Sequence, residues 1–176
     1  PFRVGPAAVR GAGHCRAATT VSLAAARSPT RGVDARRLAR DRRGQTDPMA
    51  PRRCPCGTGL PYTECCGPLH DGTARAGTAE QLMRSRYSAF AVGDTGYLLA
   101  TWHPSTRPRD LDLDPAVRWT GLDVLVTTGG GLLATEGTIE FRAHHVLDRV
   151  AGAQHENSRF TRTGGRWYYL DGVSLG

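Results

Sequence analysis

The amino-acid sequence predicts an α+β protein: a short cysteine-rich module, then two helices packed on one face of an antiparallel sheet. Three observations carry that reading. Four of the five cysteines fall within thirteen residues, from Cys54 to Cys66. A helical apolar period runs from Thr78 to about Val92. From Val117 the period changes to two, broken by glycine-rich turns.

The charge is placed unevenly. The 176 residues carry a formal net charge of +7. Residues 1–48 hold ten arginines against three aspartates, whereas residues 49–176 hold thirteen arginines against thirteen acidic residues. The basic character, which would otherwise suggest a nucleic-acid partner, therefore belongs to residues 1–48. That segment begins with Pro1, lacks an apolar period and is expected to be a disordered basic extension ahead of a working start at Met49. A functional basic tail is the alternative. Val21–Ala26 is too short for the apolar core of a secretory signal, and Arg27 interrupts it. No apolar run approaches the roughly 20 residues of a membrane span. The expected location is cytoplasmic, with no membrane partner.

The cysteine cluster comes next. Cys54-x-Cys56, eight residues, then Cys65-Cys66 is a spacing that one short loop can converge on a point. Gly57 and Gly59 let the chain turn after the first pair. Pro61 and Tyr62 begin a helical turn that carries Cys65 and Cys66 back, and Gly67-Pro68 is expected to end it. Zinc takes four soft or borderline ligands in a tetrahedron. A disulfide is the competing reading, with Cys54–Cys65 one cross-pair, but it wants an oxidising compartment. Cys15 lies in the basic segment and is expected to be a bystander. The stretch Cys54-Pro-Cys56-Gly-Thr-Gly-Leu-Pro-Tyr-Thr-Glu-Cys65-Cys66 resembles the SEC-C motif, the small zinc knuckle at the end of the SecA preprotein translocase motor. The resemblance implies one structural zinc per chain on Cys54, Cys56, Cys65 and Cys66; His70 has no counterpart among the motif's ligands and is held in reserve for the fourth position.

Thr78-Ala79-Glu80-Gln81 is a capping box. The helix that follows should bury Leu82, Met83, Tyr87, Phe90 and Ala91. Gly93 ends it, and Asp94 caps a second helix from Thr95 to about Trp102. Residues 104–115 read as loop. Trp119, Leu122, Val124 and Val126 mark a strand that is irregular at Gly121. Gly129-Gly130-Gly131 turns the chain into a strand from Leu132 to Leu147, with Ile139, Phe141, Ala143, His145 and Leu147 on one face. Ala151-Gly152-Ala153 is the next expected turn. A third strand spans His155 to Thr163, Gly164-Gly165 turns it, and a fourth runs from Arg166 to Leu170 before Asp171-Gly172.

This half also carries a resemblance. Arg84-Ser-Arg86-Tyr87-Ser-Ala-Phe90, Gly93-Asp94-x-x-Tyr97-Leu98, Thr101-Trp102-His103-Pro104, Glu156-x-Ser158-Arg159-Phe160 and Gly165-Arg166-Trp167-Tyr168-Tyr169-x-Asp171-Gly172 together look like the YchJ (UPF0225) family. The resemblance implies a SEC-C knuckle, residues 49–71, ahead of an NTF2-like domain, residues 72–176, in which helices lean on a curved antiparallel sheet.

Two functional readings follow. In the first, the knuckle is a protein-interaction module of a cytoplasmic zinc-binding protein that is not an enzyme. In the second, the NTF2-like pocket binds a small molecule or performs isomerase- or hydrolase-like chemistry, with Tyr87, Trp102, His103, Glu156, Arg159, Trp167 and Asp171 as pocket residues. An RNA- or ribosome-associated module is a third reading, and the neutral charge of residues 49–176 argues against it. The plain readings stand beside these. Arg84, Arg86 and Arg159 are expected to pair with acidic residues such as Glu156 and Asp171. Trp102 and Trp167 are expected in the core or a pocket wall, and His103 at a helix end. A homodimer through the open sheet face is a further expectation.

Overall fold

The structure, a computed structural model, describes residues 53–176. The expectations for residues 1–48, Met49 and Cys15 lie outside them. A single 3-10 turn, Tyr62–Glu64, and a one-turn helix, α1 (Gly67–His70), make up the cysteine-rich start. Helices α2 (Ala79–Val92) and α3 (Thr95–Ala100) follow, then strands β1 (Arg118–Gly129), β2 (Glu136–Leu147), β3 (Val150–Thr163) and β4 (Arg166–Ser174). The strands form one antiparallel sheet in the order β1-β2-β3-β4.

Local chemistry sets the helix ends. Thr78 accepts the Gln81 backbone N–H at 3.1 Å. The Gln81 side chain reaches past the cap and accepts from Gly77 N at 2.8 Å. Gly93, at φ +78°, ends α2, and Asp94 caps α3 by accepting from Tyr97 N. Helix α3 stops at Ala100 rather than Trp102. Thr101 O accepts from Tyr169 N at 2.9 Å and His103 N donates to Tyr169 O at 2.8 Å, so Trp102 forms a parallel bridge with β4.

The sheet departs from expectation at three places. Strand β2 begins at Glu136, because Leu132 and Leu133 stand out in solvent beyond the β1 hairpin. The next turn is Asp148-Arg149, not Ala151-Gly152-Ala153. Both residues have positive φ (51° and 67°), the geometry of a two-residue hairpin turn, and Leu147 pairs with Val150 across it. Aspartate tolerates the left-handed region, so no glycine marks the turn. Strand β4 continues through Asp171-Gly172 to Ser174. Gly172 is there for space: a Cβ at this position would sit 2.0 Å from Glu156 Oε1. Strand β1 is bulged at Gly121 as expected, and again between Val124 and Val126.

The core lies between the helices and one face of the sheet. Leu82, Met83 and Tyr87 of α2 pack on Ile139, Phe141, Phe160, Trp167 and Tyr169. Of the expected α2 face, Phe90 and Ala91 are only half-buried, whereas Ser85, Arg86 and Ser88 are buried. The helix is covered on a second side by the cysteine-rich start, which is why its buried surface is wider than one apolar stripe.

Candidate metal centre

The cysteine loop is assembled from close-range backbone features. Cys54 N donates to Leu60 O at 2.8 Å and closes it. Gly57 and Gly59 adopt φ of +82° and +81°, which favour glycine. The 3-10 turn delivers Cys65. Cys66 is the N-cap of α1, and Pro68 occupies its first turn. Gly67-Pro68 thus starts a helix instead of ending one.

The result is a group of four sulfur atoms, from Cys54, Cys56, Cys65 and Cys66, all within 4.8 Å of one another. Cys65 Sγ lies 3.5 Å from Cys56 Sγ and 3.9 Å from Cys66 Sγ. Four sulfurs held about 2.3 Å from a central ion would form a tetrahedron of edge about 3.8 Å. A disulfide holds its sulfurs about 2.05 Å apart, and all four cysteines are free. The donor set therefore could hold a metal ion.

The electrostatics point the same way. Hydrogen bonds from Cys54 and Cys66, opposed by burial, hold the Cys56 thiol below the usual range. Bonds with Cys54 and Cys56, together with burial, push the Cys66 thiol up. Burial raises Cys65 to about 11. The group shelters a first thiolate readily, and each further negative charge needs a cation to offset it.

His70 is not a fourth ligand in this arrangement. The Tyr62 hydroxyl lies 2.7 Å from its Nδ1, and its Nε2 donates to Ser85 O at 2.9 Å. Both ring nitrogens are taken, and burial holds its pKa below the usual histidine range.

Helix α2 surrounds the sulfurs from the other side. Ser88 Oγ, fully buried, lies 3.7 Å from Cys54 Sγ. Arg84 pairs with Glu80 at 2.8 Å and donates to Cys56 O at 3.0 Å. Within the loop, Thr58 Oγ1 is 3.2 Å from Cys65 Sγ and 3.4 Å from Cys56 Sγ. The places of Ser88 and Thr58 beside the sulfurs, and the bond from Arg84 to the loop, escaped the sequence reading. The available signal was the four-residue step from Arg84 to Ser88, which puts both on one helix side.

The seven expected pocket residues are placed as follows. Tyr87 is buried edge-on against Trp119. Trp102 is buried edge-on to Tyr169. His103 is half-buried, its Nδ1 2.6 Å from Ser105 Oγ. Arg159 and Asp171 form a bidentate pair on the outer sheet face, with Arg159 Nε donating to Asp171 Oδ1 at 2.6 Å. That hydrogen bond holds the Asp171 carboxyl below its usual range. Glu156 is 3% exposed and accepts from Ser158 Oγ at 2.6 Å and Gln154 Nε2 at 2.9 Å. Burial pushes its pKa up. Trp167 lines a cavity of about 130 Å³, and Arg159 a groove of about 340 Å³, but Tyr87, Trp102, His103, Glu156 and Asp171 line neither.

Of the arginines expected to pair with acids, Arg84 and Arg159 do so. Arg86 instead lies over the Trp102 and Tyr169 rings, at 5.1 and 4.6 Å, and donates through Nη1 to Leu98 O and Thr101 Oγ1. Burial lowers its pKa to about 10, so it stays charged at neutral pH.

Fold and site define a class: a small α+β protein in which a four-cysteine knuckle is packed against helices on a four-stranded antiparallel sheet. The family model described as the YchJ middle NTF2-like domain matches residues 78–172. The chain is 56% identical over 122 residues to a UPF0225 protein of Streptomyces coelicolor, covering 69% of this chain and 95% of that one. It is 50% identical over 121 residues to a UPF0225 protein of Corynebacterium glutamicum, with coverage of 69% and 96%. It therefore belongs to the UPF0225 (YchJ) family. Two solved structures are similar. A SEC-C motif containing protein from Rhodopseudomonas palustris is 35% identical at a TM-score of 0.62, over 70% of this chain and 99% of that one. Another from Psychrobacter arcticus is 32% identical at 0.59, over 70% and 82%. Among the described residues, no helix is long and apolar enough to cross a membrane.

Proposed function

We propose that the four cysteines hold one structural zinc ion and that the knuckle serves a cytoplasmic protein as an interaction module fixed to the NTF2-like domain. The observation that carries this is the closed donor set: four sulfurs at tetrahedral spacing, with no position left for water or substrate. Zinc is preferred because four thiolates in a tetrahedron match its ligand preference, and because a loop this small has almost no other core. The SEC-C motif in the names of the two similar structures agrees with it. The docking half rests on the outer edge of the loop, where residues 57–61 are exposed and Leu60 is 49% exposed. No basic footprint on residues 49–176 favours RNA. Glu156 is the observation behind the enzyme reading, and its near-complete burial with its carboxylate held by Ser158 and Gln154 weighs against it. The sheet face turned from the helices is the surface on which two copies would pair.

Native mass spectrometry of the full chain, purified without chelator, reads metal and oligomeric state together. One zinc per chain is expected, and its replacement by a loss of two protons per cysteine pair would sink the metal reading. A photo-crosslinker at Leu60 tests docking, with one at Val150 as control. A protein adduct specific to position 60 and lost in Cys56→Ser is expected. Equal adducts at both positions would remove the docking role.

A further inference from the structure

The 130 Å³ cavity lies where the knuckle meets the domain. It is close in size to the roughly 150 Å³ apolar cavity that accepts benzene. Leu69 of α1, Leu82 of α2 and Trp167 of β4 give it apolar walls. Tyr97 and Thr101 give it polar ones, and Arg75 and Arg166 are charged residues of its lining; among the described residues, no acidic one lines it.

The positive charge is reinforced from behind. Thr101 is buried, and its Oγ1 accepts from Arg86 Nη1 at 2.8 Å. Arg86 Nη2 is buried and has no hydrogen-bond partner among the described residues. Arg86 and Arg166 both pull the Tyr97 hydroxyl pKa down, against the burial that raises it. Arg166 is itself steadied over the Tyr168 ring at 5.7 Å. Asp71, beside the rim, accepts from Thr73 N and Thr73 Oγ1, and Glu156 is held by Ser158, Gln154 and Tyr169. A cation would meet repulsion here, and a neutral hydrocarbon would gain nothing from the two guanidinium groups of the lining.

We propose that this cavity binds a small organic anion of about the size of benzoate. Its carboxylate faces Arg75 and Arg166, and its apolar or aromatic part lies against Trp167 and Leu82. Arginine forks match a carboxylate through paired N–H donors. The ligand would touch α1 of the knuckle and the domain at once. This inference does not depend on the identity of the metal.

The Trp167 indole N–H donates to Gly77 O at 3.1 Å and sits at the cavity wall, so it reports occupancy. The test is a ¹⁵N-resolved NMR titration of the full chain, metal retained, with sodium benzoate, benzyl alcohol and inorganic phosphate. A saturable shift of the Trp167 indole with benzoate is expected, weaker by about tenfold or more for benzyl alcohol and for phosphate. Arg166→Gln should weaken benzoate by a similar factor, and Arg166→Lys by less, which keeps the test open if one variant folds poorly. No saturable shift with benzoate overturns the site. Equal response to benzyl alcohol overturns its anion preference, and equal response to phosphate its organic half. Benzoate binding unchanged in both Arg166 variants places it elsewhere.

Discussion

The knuckle and the sheet domain solve the same problem with different materials. The domain has a conventional interior of twelve buried residues, from Ala79 to Tyr169, most of them large and apolar. The buried cluster of the knuckle consists of Cys54, Cys56 and Cys66, with Cys65 and Tyr62 against it. The first can be held by excluding water alone. The second contains little besides sulfur, so its order depends on whatever the sulfurs bind. With the proposed metal in place, folding in one region is hydrophobic burial, and in the other it is coordination.

The largest effect should come from removing the metal. Cys56→Ser, or strong chelation, should abolish metal binding and expose the amides of residues 54–70 to hydrogen exchange, since a structural zinc contributes about 10–16 kcal/mol in small zinc peptides. The sheet should keep its protection. Loss of protection throughout the sheet would mean that the two regions are one cooperative unit. The converse test is Phe160→Ala, which should cost about 3–5 kcal/mol in denaturant unfolding while leaving metal stoichiometry unchanged in the folded protein.

Smaller effects sharpen the boundary. Ser88→Ala removes the hydroxyl that α2 places beside Cys54 and should weaken metal affinity by about 10–100-fold in a chelator competition. An unchanged affinity would make the hydroxyl incidental. Gly172→Ala drives a methyl into the Glu156 carboxyl and should cost about 1–3 kcal/mol, with most of the loss recovered if Glu156 is shortened to Ala in the same chain. Glu156 also sets a pH dependence. Its folded pKa lies above the ordinary value of 4.5. Its contribution is therefore fully present below the unfolded pKa and declines as pH rises through the folded one. Glu156→Gln should flatten that decline in a pH series of melting temperatures, and an unaltered slope would assign it to other groups.

The two regions also differed in how readable they were. The knuckle cysteines fall within thirteen residues and are chemically rare, so Cys54, Cys56, Cys65 and Cys66 stood out as a group. The alternation of β2 and the cap at Thr78 were equally plain, because each depends on residues within a few positions. What stayed hidden depends on contacts across the fold. Ser85 and Ser88 carried no expectation, yet the Ser85 carbonyl accepts from His70 and the Ser88 hydroxyl lies against a cysteine. Arg86 read as an ion-pair partner, and only the fold brings two aromatic rings beneath it. Gly172 read as a turn because glycine usually signals backbone freedom, whereas here it makes room for a side chain sixteen residues away.

Helix α2 is shared by both regions, and this bears on how the family can be recombined. One side of it belongs to the sheet core, through Leu82 and Tyr87, and the other to the sulfur cluster, through Arg84 and Ser88. A knuckle cut at its last helical turn and grafted onto a foreign scaffold would leave its serine and arginine behind. The transplantable piece runs from Cys54 through Val92, and any chimera joined nearer the cysteines inherits a sulfur cluster without its lining.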